Sequence, residues 1–334
     1  MKKIFFLTLI VFLIAFALFF AHIARLMYSP IQIHYTLCEI NQGDTGNIIA
    51  KKLFSNSIIT NETLFRFLIR YKKTDRMLKA GHYLFAGEYN MFRVLEKINS
   101  GEILVKKVTI PEGLSIYRTM RILANHEIGD YEKLLSQAKD PAFSREVTGF
   151  EIDTLEGFLY PDTYVFGFNM TAESVLRALV ANFFFKVSEG HVETDNKEQF
   201  YNDLILASIV EREAIFNDEK PLIAGVFLNR LRRNMRLQAD PTAVYHLEPS
   251  FIHRSRVTYA DLRTETPFNT YLISGLPPHP ICSPSLSSIY SVQNPDQTNF
   301  LFFFADGTGR HKFTRTYEEH SRLLREMRRN TRGD

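Results

Sequence analysis

Two glutamates stand at the end of an apolar run in the stretch LILASIVEREAIF, from Leu204 to Phe216. The seven residues that precede Glu211 carry no charge. A carboxyl group in apolar surroundings resists ionisation, and a raised pKa suits a general acid near neutral pH. The stretch therefore predicts a protonatable glutamate that could donate and accept a proton during catalysis.

The two glutamates are expected to face opposite sides of one helix. Asp195 followed by Glu198 resembles a capping box, and neither glycine nor proline occurs from there to Phe216, so we predict a helix over this range. Each helical residue turns by about 100°, which places Glu211 and Glu213 about 200° apart. The spacing therefore indicates that the two acids cannot share one cleft as a close pair.

Glu211 is the better candidate because of its neighbours. Its predicted face carries no charged residue, and no basic residue lies three or four positions away to form an ion pair with it. The face of Glu213 includes Asn202 and Asn217, so we expect this side chain to have the easier route to water. The alternative for Glu211 is a carboxylate at a helix end that simply reaches solvent.

A loop-rich section downstream supplies polar groups beside fixed turns. It runs from LQADPTAVYHL to TPFNTYLISGLPPHPICSPS and contains seven of the thirteen prolines. Binding sites are often built on such loops. The candidate binding residues are Gln238, Asp240, Thr242, Tyr245, Asn269 and Tyr271 here, and Ser208 and Asp162 elsewhere in the chain. Asp240 and Asn269 could equally hold their loops through side-chain bonds to the backbone.

Two further motifs have two interpretations each. In LEGFLYPDTYVF, the side chains of Glu156, Asp162 and Tyr164 either line a cleft or form a structural turn. ADGTGRHKF predicts a hairpin turn at Gly307 to Gly309, and it leaves open whether His311 lies near the site.

An apolar segment at the N-terminus is long enough to cross a membrane. All but two of the residues from Ile4 to Ala24 are apolar, and about 20 residues span the hydrocarbon core. The alternative is a cleaved signal peptide, but AHIARLMY lacks a small residue where cleavage would need one. Two lysines precede the segment and one arginine follows it, a small difference in charge that favours a cytoplasmic N-terminus.

The patterns predict an α+β protein with a single transmembrane helix and two domains. The expected divisions are a cytoplasmic tip at 1–3, a membrane anchor at 4–24, a linker at 25–36, a small α+β domain at 37–101 and a larger α+β domain at 102–334. The small domain has predicted helices at 45–53, 62–71 and 90–98 and a strand at 82–85. It carries no reactive cluster, which indicates a binding or spacer module.

Composition excludes several classes of function. Forty basic and 37 acidic residues give a net charge of +3, so no nucleic acid partner is expected. Cys38 and Cys282 are far apart and are expected to be free thiols. No histidine forms HExxH or joins a cysteine pair, and Ser208 does not stand in GxSxG, so we expect no metal, no cofactor and no serine hydrolase. The arginine-rich C-terminus predicts a solvated helix with a frayed tail.

The motifs together resemble one family. In order they are YLFAG, VTIPEG, LEGFLYPDTY, LASIVEREA, LNRLRRNMRLQADPTAVY, TPFNTY, GLPPHPI and FFFADGTGRHKFTRTYEEH. This series is similar to that of the YceG/MltG family of membrane-anchored endolytic murein transglycosylases, over nearly the whole chain behind the anchor. One departure is His279 in GLPPHPI, where glycine is common in the family.

The resemblance implies both an architecture and a chemistry. The small domain would be LysM-like, and the larger domain would cleave the MurNAc-GlcNAc β-1,4 bond of nascent peptidoglycan strands and so terminate glycan polymerisation. Glu211 would be the catalytic acid, and attack by the sugar's own C6 hydroxyl would leave a 1,6-anhydro-MurNAc end. The binding candidates would contact hydroxyl and N-acetyl groups. The protein would lie on the periplasmic or outer face of the cytoplasmic (inner) membrane, with penicillin-binding synthases as neighbours.

A rival interpretation belongs to a different class. The chain could be a non-catalytic, membrane-anchored scaffold that binds murein and tethers peptidoglycan synthases through an inert cleft. The presence of both LASIVEREA and LQADPT favours the enzyme.

Overall fold

A computed structural model describes residues 2–168, 170–252 and 257–330, apart from the side chains of residues 2–7, 34, 35, 328 and 330. Met1 of the predicted cytoplasmic tip and the last four residues of the predicted frayed tail lie outside the described residues. The chain divides into two compact units. Unit 1 comprises residues 1–106 and 166–168, and unit 2 comprises residues 107–165 and 169–334.

Unit 1 is a mixed unit of helices and one pair of strands. Its elements are α1 (Lys2–Tyr28), β1 (Ile31–Ile40), α2 (Gly46–Ser55), α3 (Glu62–Tyr71), β2 (Gly81–Tyr89) and α4 (Met91–Ser100). The two strands pair antiparallel, from Ile31 opposite Tyr89 to Ile40 opposite Gly81, with an irregularity between Ile33 and Thr36. Strand β1 begins within the segment predicted as a linker, residues 25–36.

Local sequence signals account for the helices of unit 1. The side chains of Thr45, Asn61 and Asn90 each accept a hydrogen bond from a backbone N–H in the first turn of α2, α3 and α4. Such caps satisfy donors that a helix leaves free at its start. The apolar faces of the helices pack with both strands around a core that includes Leu53 and Phe65, both fully buried.

One helix of the described residues is long and apolar enough to cross a membrane. This stretch, Thr8–Tyr28, lies within α1 and is not buried inside the protein. Its length and composition agree with the predicted single span, although the helix continues beyond Ala24.

Unit 2 is mainly helical with short pairs of strands. Its elements, including two strands divided between the units, are β3 (Val105–Thr109), α5 (Ile116–Asn125), α6 (Tyr131–Ala138), α7 (Pro141–Thr148), β4 (Thr163–Gly167), α8 (Ala172–Glu189), α9 (Lys197–Glu213), α10 (Lys220–Arg232), α11 (Asp240–Val244), α12 (Leu286–Gln293), β5 (Phe302–Ala305), β6 (His311–Thr314) and α13 (Tyr317–Asn330). The mixed content agrees with the predicted α+β class.

Helix α9 is the central element of unit 2. An uninterrupted buried run, Asp203 to Val210, precedes the two glutamates, and α10, α11 and α12 all pack against this helix. Its start differs in detail from the prediction, because Asn196 rather than Asp195 caps it by accepting from the Gln199 N–H at 3.1 Å. The helix ends at Glu213, so both acids lie in its last turn.

The C-terminal hairpin follows the predicted turn. Strands β5 and β6 pair antiparallel, with Phe302 opposite Thr314 and Ala305 opposite His311. Helix α13 packs against both strands, and the predicted helical C-terminus is present.

Candidate active site

The carboxylate of Glu211 lies at the N-terminus of α12. One oxygen, Oε2, accepts hydrogen bonds from the Ser285 N–H at 2.9 Å, the Ser285 hydroxyl at 2.5 Å and the Ser288 hydroxyl at 2.6 Å. Ser285 is the N-cap of α12 but makes no capping bond of its own. The carboxylate of Glu211 therefore lies at the start of this helix, where the partial positive charge of the helix favours an anion.

A buried lysine completes this arrangement. Lys220 Nζ lies 3.2 Å from Glu211 Oε2 and 2.9 Å from each of the Ser285 and Ser287 hydroxyls. Only 2% of the lysine side chain and 7% of the glutamate side chain are exposed. A charge removed from water this far needs a partner, so each residue compensates the burial of the other.

These contacts overturn the expected ionisation of Glu211. Burial raises the pKa of its carboxyl group, but the hydrogen bonds from Ser285 and Ser288 and the positive charge of Lys220 outweigh burial and hold the pKa below its ordinary value. The prediction of a raised pKa in apolar surroundings is wrong. It considered only the face of α9, whereas the polar groups come from α10 and the start of α12.

Glu213 has the opposite electrostatics. Burial is the main cause that raises the pKa of Glu213 to about 8, and the negative charge of Asp240 adds to it. A backbone hydrogen bond from Asp240 acts in the other direction. Glu213 is half-buried, with Asp240 at the start of α11 close to its carboxyl group.

A second carboxylate approaches Glu211 from the Pro-Glu-Gly turn before α5. Burial and the negative charge of Glu211 both raise the pKa of Glu112. The next residue, Gly113, has a φ of +73°, and a Cβ added there would lie 3.6 Å from Glu211 Cγ. Since the Glu112 residue is exposed, a carboxyl group that can reach water lies close to the buried one.

Three predicted binding residues lie together at an accessible surface. Gln238 and Asp240 are exposed and Tyr271 is half-buried. The Tyr271 hydroxyl donates to Asp240 Oδ1 at 2.6 Å, and Gln238 has a φ of +52°. This left-handed backbone is unusual for a residue other than glycine, and such outliers occur often at functional sites.

Other predicted binding residues are buried and hold loops in place. The Thr242 hydroxyl bonds to the Ala239 carbonyl and to the Thr270 hydroxyl. The Asn269 amide donates to the carbonyls of Leu262 and Thr264. Neither side chain has an exposed surface. Their contacts favour loop positioning, one of the two interpretations left open for Asn269.

Ser208 and Tyr245 also make internal bonds. The Ser208 hydroxyl donates to the Ile205 carbonyl at 2.7 Å and accepts from the Ile281 N–H at 3.0 Å, which ties the loop before α12 to α9. The hydroxyl of Tyr245 donates to Glu156 Oε2 at 2.7 Å. These bonds position the frame of the site.

The remaining motif residues lie in separate surroundings. Asp162 is half-buried and accepts from the Asn182 amide at 3.1 Å. His311 Nδ1 lies 3.0 Å from Glu219 Oε2, and Glu219 immediately precedes the start of α10. Neither residue makes a hydrogen bond or ion pair with Glu211 among the described contacts.

Sequence reasoning missed Lys220, Ser285, Ser288 and Glu112. Two signals point to some of them. A lysine at the first position of a helix opposes the helix dipole, so Lys220 at the start of α10 needs a specific anionic partner. The serine-rich SPSLSS before and within α12 is denser in hydroxyl donors than a turn requires.

Comparison with known proteins places the chain in a family. The model of the YceG-like family matches residues 38–326. The chain belongs to the YceG-like family. The match includes every residue named above for the site, and it extends through both compact units.

Relatives and a solved structure agree with the family. A relative from Bacillus subtilis, named endolytic murein transglycosylase, is 30% identical over 305 residues, which cover 85% of this chain and 82% of the relative. A relative of the same name from Streptococcus pneumoniae is 29% identical; the match covers 87% of this chain but 58% of the relative. A crystal structure of a YceG-like protein from Listeria monocytogenes is 32% identical, with a TM-score of 0.58, and covers 87% of this chain and 99% of that one.

Proposed function

We propose that this protein is an endolytic murein transglycosylase with Glu211 as its acid and base. The observation that supports this most is the Glu211 carboxylate, held through Oε2 by α12 and Lys220 at the end of a buried helix. The family and the names of two relatives agree with this activity. The enzyme is a lyase, because its reaction breaks a glycosidic bond without consuming water.

The chemistry divides between the two oxygens of Glu211. All of the hydrogen bonds described for this carboxylate fall on Oε2, which leaves Oε1 to carry the proton that moves. The acid gives its proton to the glycosidic oxygen as the bond from C1 of MurNAc to O4 of GlcNAc breaks. The C6 hydroxyl of the same MurNAc then attacks C1, and its proton returns to Glu211. The product carries a 1,6-anhydro end.

Glu211 must gain a proton before the first step. In the free protein its lowered pKa favours the carboxylate. A bound glycan strand excludes water from the site, and loss of water disfavours a charged carboxylate. Binding of substrate therefore raises the pKa of Glu211 and favours its protonated form. Lys220 and the serines stabilise the carboxylate that forms after the proton has moved to the glycosidic oxygen.

The exposed candidates contact the strand. Gln238, Asp240 and Tyr271 reach the surface beside Glu213 rather than Glu211, and there they bind hydroxyl and N-acetyl groups of the strand. Asp162 lines a recess together with Leu286, the residue that follows Ser285. Thr242, Asn269, Ser208 and Tyr245 serve the same site by holding its loops.

The other parts of the chain place the enzyme. Helix α1 crosses the cytoplasmic membrane once, with the bulk of the chain on the periplasmic or outer face. The strand, helix, helix, strand order of unit 1 serves as a LysM-like module that binds glycan. In this location the enzyme cuts nascent strands, ends their polymerisation and works beside penicillin-binding synthases.

The ends of the product test the proposal. Uncrosslinked strands are digested with the full chain in detergent, and the products are analysed by mass spectrometry. Attack by the C6 hydroxyl gives 1,6-anhydro-MurNAc ends, whereas attack by water gives reducing ends that are heavier by one water per cut. Reducing ends as the main product would reject the transglycosylase assignment, and intact strands would favour the scaffold.

Hydrolysis is the second candidate function, because Glu112 approaches Glu211. Hydrolysing glycosidases use two carboxyl groups, one of which activates water or acts as the nucleophile. If reducing ends form, Glu112→Gln should abolish them. If they persist in that variant, Glu112 has no part in the reaction.

A further inference from the structure

A recess opens beside the Glu211 site in unit 2. It has a volume of about 250 Å³ and is lined by Gly113, Leu114, Arg118, Arg212, Val244, Glu248 and Ile252. Since one water molecule occupies about 30 Å³ in the liquid, the recess can hold a small charged group together with the atoms that attach it. None of the residues predicted from the sequence to bind substrate lines it.

The recess has an excess of positive charge. Glu248 is buried and accepts from Arg118 Nε at 2.5 Å and Arg212 Nη1 at 3.0 Å. The Ser115 hydroxyl also donates to it at 2.8 Å. Two guanidinium groups facing one carboxylate leave a net charge of about +1.

The two arginines have donors to spare. Each guanidinium carries five N–H donors, and in the described part of the chain each uses one nitrogen to bond Glu248. The Arg118 and Arg212 side chains are 30% and 24% exposed, so their remaining donors can reach a ligand. Because Glu248 already fixes both groups, little conformational freedom is lost when an anion binds.

A short wall, formed by Gly113, separates this recess from the Glu211 carboxylate. Gly113 lines the recess, and a Cβ at this residue would lie 3.6 Å from Glu211 Cγ. The Gly113 N–H donates to the Ser283 carbonyl at 3.0 Å, and the Ser283 N–H donates to the Leu114 carbonyl at 2.9 Å. The wall is thus braced by the segment that leads into Ser285, and Gly113 lies between the recess and the Glu211 side chain.

We propose that the recess binds a free carboxylate of the peptide stem attached to a MurNAc residue beside the cut. This inference rests on the proposed function, since the stem is part of a murein substrate. Guanidinium groups bind carboxylates in paired, charge-assisted hydrogen bonds, and the sugar ring itself carries no charge. The recess therefore binds the peptide stem while Glu211 acts on the glycan.

Binding of two matched ligands tests this subsite. The full chain carrying Glu211→Gln is used so that strands stay intact, and it is titrated with uncrosslinked strands whose stem carboxylates are either free or converted to carboxamides. We expect the free form to bind about tenfold more tightly, as for the loss of a charge-assisted hydrogen bond. Adding Arg118→Met should remove this preference, and Arg118→Lys should keep part of it.

A control and two outcomes complete the test. Arg145→Gln removes an exposed arginine that pairs with Asp153 and should leave the preference unchanged. Equal binding of the two strands by the parent protein overturns the subsite, as does a preference that survives Arg118→Met. Because binding is measured without cleavage, a clear preference together with reducing ends in the product assay would reject only the proposed reaction.

Discussion

Glu211 and Glu156 both lie at the start of a helix that belongs to another part of the chain, yet their charges differ. Glu156 is fully buried and accepts from the Ile116 N–H at the start of α5 at 2.9 Å, and from the Tyr245 hydroxyl. Burial raises its pKa to about 8. Glu211 has in addition two serine hydroxyls and a lysine, and its pKa is lowered. A helix start alone does not keep a buried carboxyl group ionised.

Glu213 extends the comparison on the same helix. It lies two residues after Glu211 and receives a backbone hydrogen bond from Asp240, but burial and the negative charge of Asp240 raise its pKa to about 8. Of these three glutamates, Glu211 is thus the one whose carboxylate form is stabilised by a bonded lysine and several hydrogen-bond donors.

The largest expected effect separates Glu211 from Glu213. Glu211→Gln keeps the size of the side chain but cannot donate the proton, so turnover of uncrosslinked strands should fall by about 10²–10⁴. Glu213→Gln should keep turnover within about threefold, because this residue is already largely neutral near pH 7 and faces α11. Equal losses of turnover in the two variants would contradict the separate roles of Glu211 and Glu213.

The next prediction concerns stability around Glu156. Its folded pKa is raised, so the stability it contributes is fully present below its ordinary pKa of 4.5 and is lost as the pH rises towards about 8. Glu156→Gln should remove about 3 kcal/mol of this pH dependence, measured as the change in unfolding free energy between pH 5 and 8. Glu151→Gln is the control, because this side chain is 93% exposed. An unchanged pH slope in Glu156→Gln would contradict a neutral buried acid.

Lys220→Met sharpens the comparison, because it removes the cation that distinguishes Glu211. The folded pKa of Glu211 should rise, so the alkaline limb of the kcat/KM profile should move to higher pH by about one unit. The rate at the optimum should fall by about tenfold, because the carboxylate formed after proton transfer loses its counter-ion. Lys133→Met, on the exposed side of α6, is the control. A lower rate with an unmoved limb would assign Lys220 a purely structural role.

The smallest predicted effect is that of a single hydroxyl. Ser288→Ala removes one of the donors to Glu211 Oε2, and the other donors remain. We expect a loss of about threefold in kcat/KM and a shift of the alkaline limb in the same direction as for Lys220→Met. Ser291→Ala, in which the lost hydroxyl bonds to the Ser287 carbonyl, should leave the limb in place. If Ser291→Ala moved the alkaline limb by the same amount, the shift in Ser288→Ala could not be assigned to the lost hydrogen bond to Glu211.

Elements held by local signals could be predicted from the sequence. The bounds of α3 were predicted correctly because its apolar spacing and its Asn61 cap lie within a dozen residues. Strand β1 was missed, since its identity depends on β2, about 50 residues later in the chain, and the preceding apolar helix obscures its start. The hairpin turn before β6 was found because two glycines mark it.

The site was only partly predictable for the same reason. Glu211 could be singled out because its own helix is so apolar. Its ionisation could not, because the deciding contacts come from residues 9, 74 and 77 positions away. The raised pKa of Glu213 likewise depends in part on the later loop at Asp240. Helix periodicity describes the face of one helix and cannot show what packs on it.

Infrared difference spectra test the central claim most directly, because they report the charge of each glutamate without requiring catalysis. Near neutral pH, the spectrum of the parent protein minus that of Glu211→Gln should show the loss of an ionised carboxylate band. The corresponding difference for Glu213→Gln should show the loss of a protonated carboxyl band, as a pKa of about 8 requires. A protonated carboxyl band assigned to Glu211 in the free protein would contradict the account.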